Sequence, residues 1–456
     1  MGTRLRHLLE ILSANFWVLP LLFMLCAVVL AVMNYELDKQ LFNNGGEIPQ
    51  LLSYFSNSRH IRSFLSVTAN SMIGVAGVSF SITIASLTLA SQQFGPRLLR
   101  NFMRDRFNQA VLGLFSATFL YCVLILQFTS SMDLEKITPL LSVSTAMALV
   151  VADLFMLIFF IHHIAVAIQA DSVIADVNNE LNNHMLRFFG DHEKVEDCPI
   201  EVDYEKDYAK LADEGKHILA RRSGYLQAVD IIGIRELSQK RDLTIQLDFR
   251  PGQYVINQCT IGRYLQHSGE EDDEVIMDEI QVLLLIGDWR SAEQDPEFSI
   301  RQLVEIAVRA LSPGINDPFT AITCIDRLAD NLAFLSGRHL PADRFVDDSG
   351  VLRVQLKPLT FAGIVEASFN QIRQHGQGDI AIVIRLLEVL KELSVLVCTQ
   401  VQADALMTQV NALHASCIES VHADMDKESI EHLYSDILAV HQSFIETRNS
   451  HVPNES

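Results

Sequence analysis

The sequence is poor in cysteine and in positive charge, and it carries no catalytic signature. Its seven cysteines, Cys26, Cys122, Cys198, Cys259, Cys324, Cys398 and Cys417, are scattered over 456 residues with no CxxC pair. That spacing argues against a zinc site and a disulfide framework and fits a reducing compartment. Lys and Arg number 35 against 56 Asp and Glu. An acidic chain repels phosphate backbones, so nucleic acid is not an expected partner. There is no Walker A loop, GxGxxG, HExxH, GxSxG or kinase set, so the residues point to no enzyme, cofactor or metal. The five consecutive acids Glu270, Glu271, Asp272, Asp273 and Glu274 lack the alternation and the glycine of an EF-hand and read as a solvated loop.

Charge is also missing locally. Residues 1–165 hold ten Lys/Arg and eight Asp/Glu, which leaves 25 against 48 for residues 166–456. The first part contains four long apolar runs. A bilayer core of about 30 Å needs roughly 20 such residues in a helix. The runs are Phe16 to Tyr35, the charge-free stretch between Arg62 and Arg97, Ala110 to Phe128, and Leu140 to Ile168. The first is longer than a usual signal h-region and ends in no A-x-A site, so it reads as a retained span with Trp17 and Tyr35 near its interfaces. The second would be about 50 Å long as a helix, more than one bilayer core.

Arg4 and Arg6 precede the first span, and Arg97, Arg100, Arg104 and Arg106 lie between the second and third. The other two loops carry Glu36, Asp38 and Glu47, and Asp133 and Glu135. The positive-inside rule then places both termini, and the acidic remainder of the chain, in the cytoplasm.

The second span, "NSMIGVAGVSFSITIASLTLASQ" at its centre, is rich in small polar residues. At 100° per residue, Ser63, Ser66, Asn70, Gly74, Gly77, Ser81, Ala85, Thr88 and Gln92 share about 100° of arc. Val67 and Ile84 lie at the edges of this stripe, and Ser79, Thr83 and Ser86 form a second small-residue set on a different face. Such faces pack helices closely, or they line a pore when several copies surround an axis. Arg97 and Arg100 would stand at the inner mouth of such a pore. Asp153 is the one acid inside a span, so it should face protein or a cavity. It reads as a structural hydrogen-bonded or protonated group, or as a group in ion passage or gating. His162 and His163, adjacent on a helix, diverge too much to chelate a metal together and read as interface residues.

Beyond residue 168 the pattern changes. Residues 169–220 read as a helical connector and a polar loop. Residues 221–290 read as a small α/β or sandwich-like module. Within it "SGYLQAVD" looks like a strand ending at an Asp cap, "IIGIRELSQKR" an amphipathic helix and "LTIQLDF" a strand. "RPGQYVINQCTIGRYL" reads as a Pro-Gly turn followed by a strand. Residues 291–456 read as a helical C-terminal domain. In "RQLVEIAVRALSPGINDPFTAITCIDRLADNLAFL" a helix burying Leu303, Ile306, Ala310 and Leu311 stops at Pro313-Gly314, and a second starts at cap Asp317 and Pro318. A similar corner recurs at Asp379.

"SFSITIASLTLASQQFGPRLLRNFMRDRFNQAVLGLF" together with "RQLVEIAVRALSPGINDPFTAITCIDRL" resembles the bacterial predicted-membrane-protein family called domain of unknown function 2254. The resemblance covers nearly the whole chain. It implies a multi-pass bacterial inner-membrane protein and supplies no activity, substrate or functional residue.

The expected fold is an α-helical transmembrane region of four spans (1–168), followed by a mixed α/β, mostly helical cytoplasmic domain. The expected function is a homo-oligomeric ion channel whose partners are further copies of itself, the lipid bilayer and inorganic ions. Ser63, Ser66, Asn70, Gly74, Gly77, Ser81, Thr88 and Gln92 would line its pore. The alternative is a non-conducting membrane-anchored scaffold or sensor whose cytoplasmic domain binds a partner or small ligand.

Overall fold

The computed structural model describes residues 16–43, 58–95, 105–130, 139–189, 205–268, 272–338, 340–418 and 421–449. The chain divides into two compact units, Met1–Ser172 and Val173–Ser456.

Among the described residues the first unit has four long helices: α1 (Val18–Asn43), α2 (Ser58–Phe94), α3 (Arg106–Ser130) and α4 (Leu140–Ala167). Each is long and apolar enough to cross a membrane. The helix α3 packs against the other three and is the most buried of them. Small residues bring it close. A Cβ at Gly113 would stand 3.1 Å from the Pro20 Cα and 3.1 Å from the Phe23 ring. Around this contact Ala31, Leu65, Ala117, Tyr121, Ile125 and Ala146 form one apolar cluster, and Ala76, Val111, Phe115, Phe160 and Ile164 a second. Leu154, Phe155, Ile158, Phe159 and Ile161 of α4 point outward, as a face meeting lipid does.

The first helix corrects the sequence reading. It runs on to Asn43, so Glu36 and Asp38 belong to a helix and not to a loop. Asp38 is buried. Its Oδ1 accepts from Leu141 N at 2.8 Å, and its Oδ2 from Ser142 N at 3.0 Å and Ser142 Oγ at 2.7 Å. These are free N–H groups at the start of α4, where Pro139 supplies no side-chain cap. Hydropathy alone cuts a helix at its first charges; a carboxylate with a helix N-terminus to bind stays inside.

The chain continues through α5 (Ala170–Phe189), most of which belongs to the second unit, and α6 (Glu205–Glu214) into two sheets. The strands β1 (Lys216–Leu219), β2 (Gly224–Val229), β3 (Leu243–Leu247), β4 (Tyr254–Val255), β5 (Thr260–Gln266) and β6 (Leu284–Gly287) are joined by later β7 (Arg344–Val346) and β8 (Leu352–Gln355). One sheet has the order β1-β5-β3-β8-β7 and the other β4-β2-β6. In the larger sheet β3 is antiparallel to β5, with Ile245 opposite Tyr264, and parallel to β8, with Ile245 opposite Val354. Two short helices, α7 (Ile231–Lys240) and α8 (Asp273–Val282), complete this part. Asp230 caps α7 as expected, accepting from Gly233 N at 3.0 Å.

Two expectations need correction here. Residues 291–456 contribute the strands β7 and β8 as well as helices. With three and four residues, they are too short for periodicity to declare them. The acidic run, of which Glu270 and Glu271 lie outside the described residues, is also not all loop. Asp272 caps α8 by accepting from Glu274 N at 3.0 Å, so Asp273 and Glu274 are helical. The rest is helix: α9 (Glu297–Ala310), α10 (Pro318–Ser336), α11 (Phe361–Gly376), α12 (Ile380–Leu396), α13 (Gln400–Cys417) and α14 (Asp424–Asn449). The corner between α9 and α10 is built as its sequence suggests. Asn316 takes a positive φ of 50° and Asp317 accepts from Thr320 N at 3.2 Å.

Candidate functional site

The helix α2 runs through 37 residues, about 55 Å at 1.5 Å per residue. Its two small-residue faces have different surroundings. Ser79 is buried, and Thr83 and Ser86 are half-buried. The first stripe is uncovered within the unit. Ser63, Asn70, Gly74, Gly77, Ser81, Thr88 and Gln92 are exposed and Ser66 is half-buried. A Cβ added at Gly74 or at Gly77 would meet nothing within 4 Å. Ser81 Oγ donates to Gly77 O and Thr88 Oγ1 to Ile84 O, both at 2.9 Å. Back-bonding of this kind lowers the cost of a hydroxyl in an apolar setting. Arg97 and Arg100 lie outside the described residues.

Asp153 is not on this stripe. It stands halfway along α4 and is 2% exposed. Neither of its carboxyl oxygens has a hydrogen-bond partner among the described residues. Thr118, at the middle of α3 and 0% exposed, faces it without forming a bond of normal geometry. Cys122, one turn further along α3, is its other polar neighbour. His163 is engaged elsewhere, with Nε2 2.6 Å from Asp105 Oδ2.

Sequence reasoning missed a second polar group in the membrane helices. Asn34 Nδ2 donates to Tyr121 Oη at 3.0 Å and to Thr145 Oγ1 at 2.9 Å, and Tyr121 Oη donates to Ser142 O at 3.0 Å. With Asp38 on Ser142, this network ties α1, α3 and α4 together. The available signal was Asn34 itself, a lone amide late in an apolar run.

The second unit holds a cavity of about 230 Å³, lined among others by Phe188, Phe189, Phe249, Arg250, Pro296 and Lys357. Beside it lies a buried charge network. Glu297 takes a bond from Arg250 and one from Arg301 Nη2 at 3.2 Å, while Arg290 bonds Asp295. The Pro251-Gly252 turn closes over Asp295. Gly252 has a φ of 91°, and any Cβ there would collide with that carboxylate. Burial works to raise the Glu297 carboxyl, but Arg250 and Arg301 outweigh it and hold Glu297 below the ordinary glutamate value of 4.5. Asp295 moves the other way. Burial pushes it up, against the pull of Arg290. No group of three or more His, Cys, Asp or Glu side chains placed to hold a metal ion occurs among the described residues.

Residues 13–392 match the family described as Predicted membrane protein (DUF2254). An uncharacterized protein of Mycobacterium bovis is 32% identical over 396 residues, covering 86% of this chain and 74% of its own length. Two uncharacterized proteins of Mycobacterium tuberculosis strains share the same identity and the same coverage. No solved structure matches the chain. The extent of the family match, the relatives and the four apolar helices agree, and the chain belongs to the DUF2254 family of membrane proteins.

Proposed function

We propose that the protein is a non-enzymatic, homo-oligomeric ion channel of the bacterial inner membrane in which α2 lines the pore. One observation carries this reading. The stripe of Ser63, Ser66, Asn70, Gly74, Gly77, Ser81, Thr88 and Gln92 is left almost wholly uncovered by the chain's own helices, while the other small face is turned inward. Lipid gives such a polar stripe little in return, whereas water along an axis shared by several copies solvates it. The extra length of α2 allows it to project past the bilayer. Both termini and the second unit lie in the cytoplasm, following Arg4 and Arg6 before the first span and the arginines between the second and third spans. There the second unit assembles the ring and gates it, with inorganic ions as the transported species and Arg97 and Arg100 at the inner mouth.

The test is twofold. The purified protein in detergent is expected to run as a ring of four or more copies by native mass spectrometry. Single cysteines at Ser66, Ser81 and Thr88 are expected to react with a water-soluble thiol reagent in that assembly, and a liposome flux assay to show conductance. A monomer or dimer, or reaction only on the opposite face of α2, overturns the reading.

The second reading is a non-conducting sensor. The cavity lined by Phe188 and Phe249 favours it, because a largely apolar pocket with two cations in its lining suits a small ligand. The hydroxyls bonded back to α2 favour it as well, since they make a stripe facing lipid tolerable. A monomeric protein without flux that binds a small ligand in the second unit is its signature.

A further inference from the structure

From the surroundings of Asp153 we infer that Asp153 and Thr118 form a binding site at the middle of the membrane unit for a single monovalent cation, a proton or Na⁺. The inference does not rest on a pore along α2. It stands on the burial of one carboxyl and on what surrounds it.

Asp153 and Thr118 are each the midpoint of their helix, Leu140–Ala167 and Arg106–Ser130. In two neighbouring spans, that places them at the depth farthest from water on either side. Both are shut off by protein, at 2% and 0% exposure. Both Asp153 oxygens and the Thr118 hydroxyl lack a hydrogen-bond partner among the described residues. Buried polar groups are nearly always paired, and an unpaired carboxyl at this depth is a conspicuous exception. A structural acid is held by donors, as Asp38 is at the start of α4. Asp153 faces the single hydroxyl of Thr118 and no backbone N–H among the described residues.

Among the described residues no fixed charge of opposite sign compensates it. The described groups that act on it or feel it are Thr118 and Cys122, both on α3, and no Lys, Arg or His is among them. Thr118 and Cys122 are four residues apart and so present one face to it. A carboxylate buried without a fixed cation needs a mobile one. Two carboxyl oxygens and one hydroxyl form a small set of hard donors. They suit a proton or a small alkali cation better than a thiophilic metal.

Labelling with dicyclohexylcarbodiimide tests the site, because this apolar reagent modifies carboxyl groups that carry a proton in an apolar setting. The full-length protein in liposomes is treated across a pH series, with and without Na⁺, and the modified residue is located by peptide mass spectrometry. Asp153 is expected to be labelled. On the alkaline side, labelling is expected to fall about tenfold for each pH unit. If Na⁺ also slows labelling at constant pH and ionic strength, the occupant exchanges with Na⁺; if only pH matters, the occupant is the proton. Because the readout is on the native residue, no variant has to fold; Asp153→Asn serves as a control where it does. Asp153 unlabelled under every condition, or labelled at a rate indifferent to both pH and Na⁺, overturns the proposal.

Discussion

Single carboxylates in this molecule do different work according to which donors reach them. Asp38 is bound by two backbone N–H groups and a hydroxyl, Glu297 by arginines, and Asp153 faces the lone hydroxyl of Thr118. Replacing Asp38 with Ala removes the cap of α4 and is expected to cost about 1–2 kcal/mol. The check is a lower thermal midpoint in detergent, with Asp38→Asn recovering part of it because an amide oxygen still accepts. Glu297 yields a pH prediction. Its pKa is lower in the fold than in the unfolded chain, so its contribution is complete above about pH 4.5 and drains away as pH falls through the depressed value. The variant Glu297→Gln is expected to be less stable at neutral pH and to lose less on further acidification; parallel slopes in an acid titration of unfolding would refute this. At this scale the sequence was readable in part. Asp153 announced itself as a lone acid in an apolar run, and Asp230, Asp317 and Asp379 as caps. Asp38 did not, because its partners are 103 and 104 residues away. Thr118 and Cys122 are ordinary residues of an apolar helix until the fold brings Asp153 to them.

Elements were legible where one periodicity runs for many residues. The four spans and the corner of α9 and α10 follow from apolar spacing and punctuation. The strands β7 and β8 escaped because they are short and because β8 is joined to the sheet by β3, a pairing across more than a hundred residues of chain. The two faces of α2 were both visible as patterns, but which one its neighbours cover is a property of the packed unit. Two glycines separate these roles. At Gly113 of α3 a methyl group would press on the backbone of Pro20, so Gly113→Ala is expected to destabilise the protein by about 1–3 kcal/mol through overpacking. At Gly77 of α2 there is open space, so Gly77→Ala is expected to leave the folded chain unharmed or to stabilise it by up to about 1 kcal/mol through helix propensity. Thermal unfolding of the two variants side by side checks the contrast. Equal destabilisation would mean that the stripe around Gly77 is packed as tightly as α3.

For the whole molecule the distribution of charge matters most. Residues 166–456 carry 25 basic against 48 acidic side chains while the spans are almost neutral, so the field of the protein comes mainly from one end of its chain. In a conducting assembly that field enriches cations near the second unit. The expected result is a reversal potential favouring cations at low salt that weakens as the Debye length shrinks from about 30 Å at 0.01 M to about 3 Å at 1 M. A preference unchanged by salt would place selectivity in the spans instead. The bond from Asp38 to the start of α4 bears on how such a molecule is made. The first helix leaves the ribosome well before the fourth, and until the fourth arrives Asp38 has no donors of its own. The fourth span therefore completes the first, so insertion of the bundle closes like a clasp, and a chain halted after three spans would display an unfastened acid to the cell's quality-control machinery.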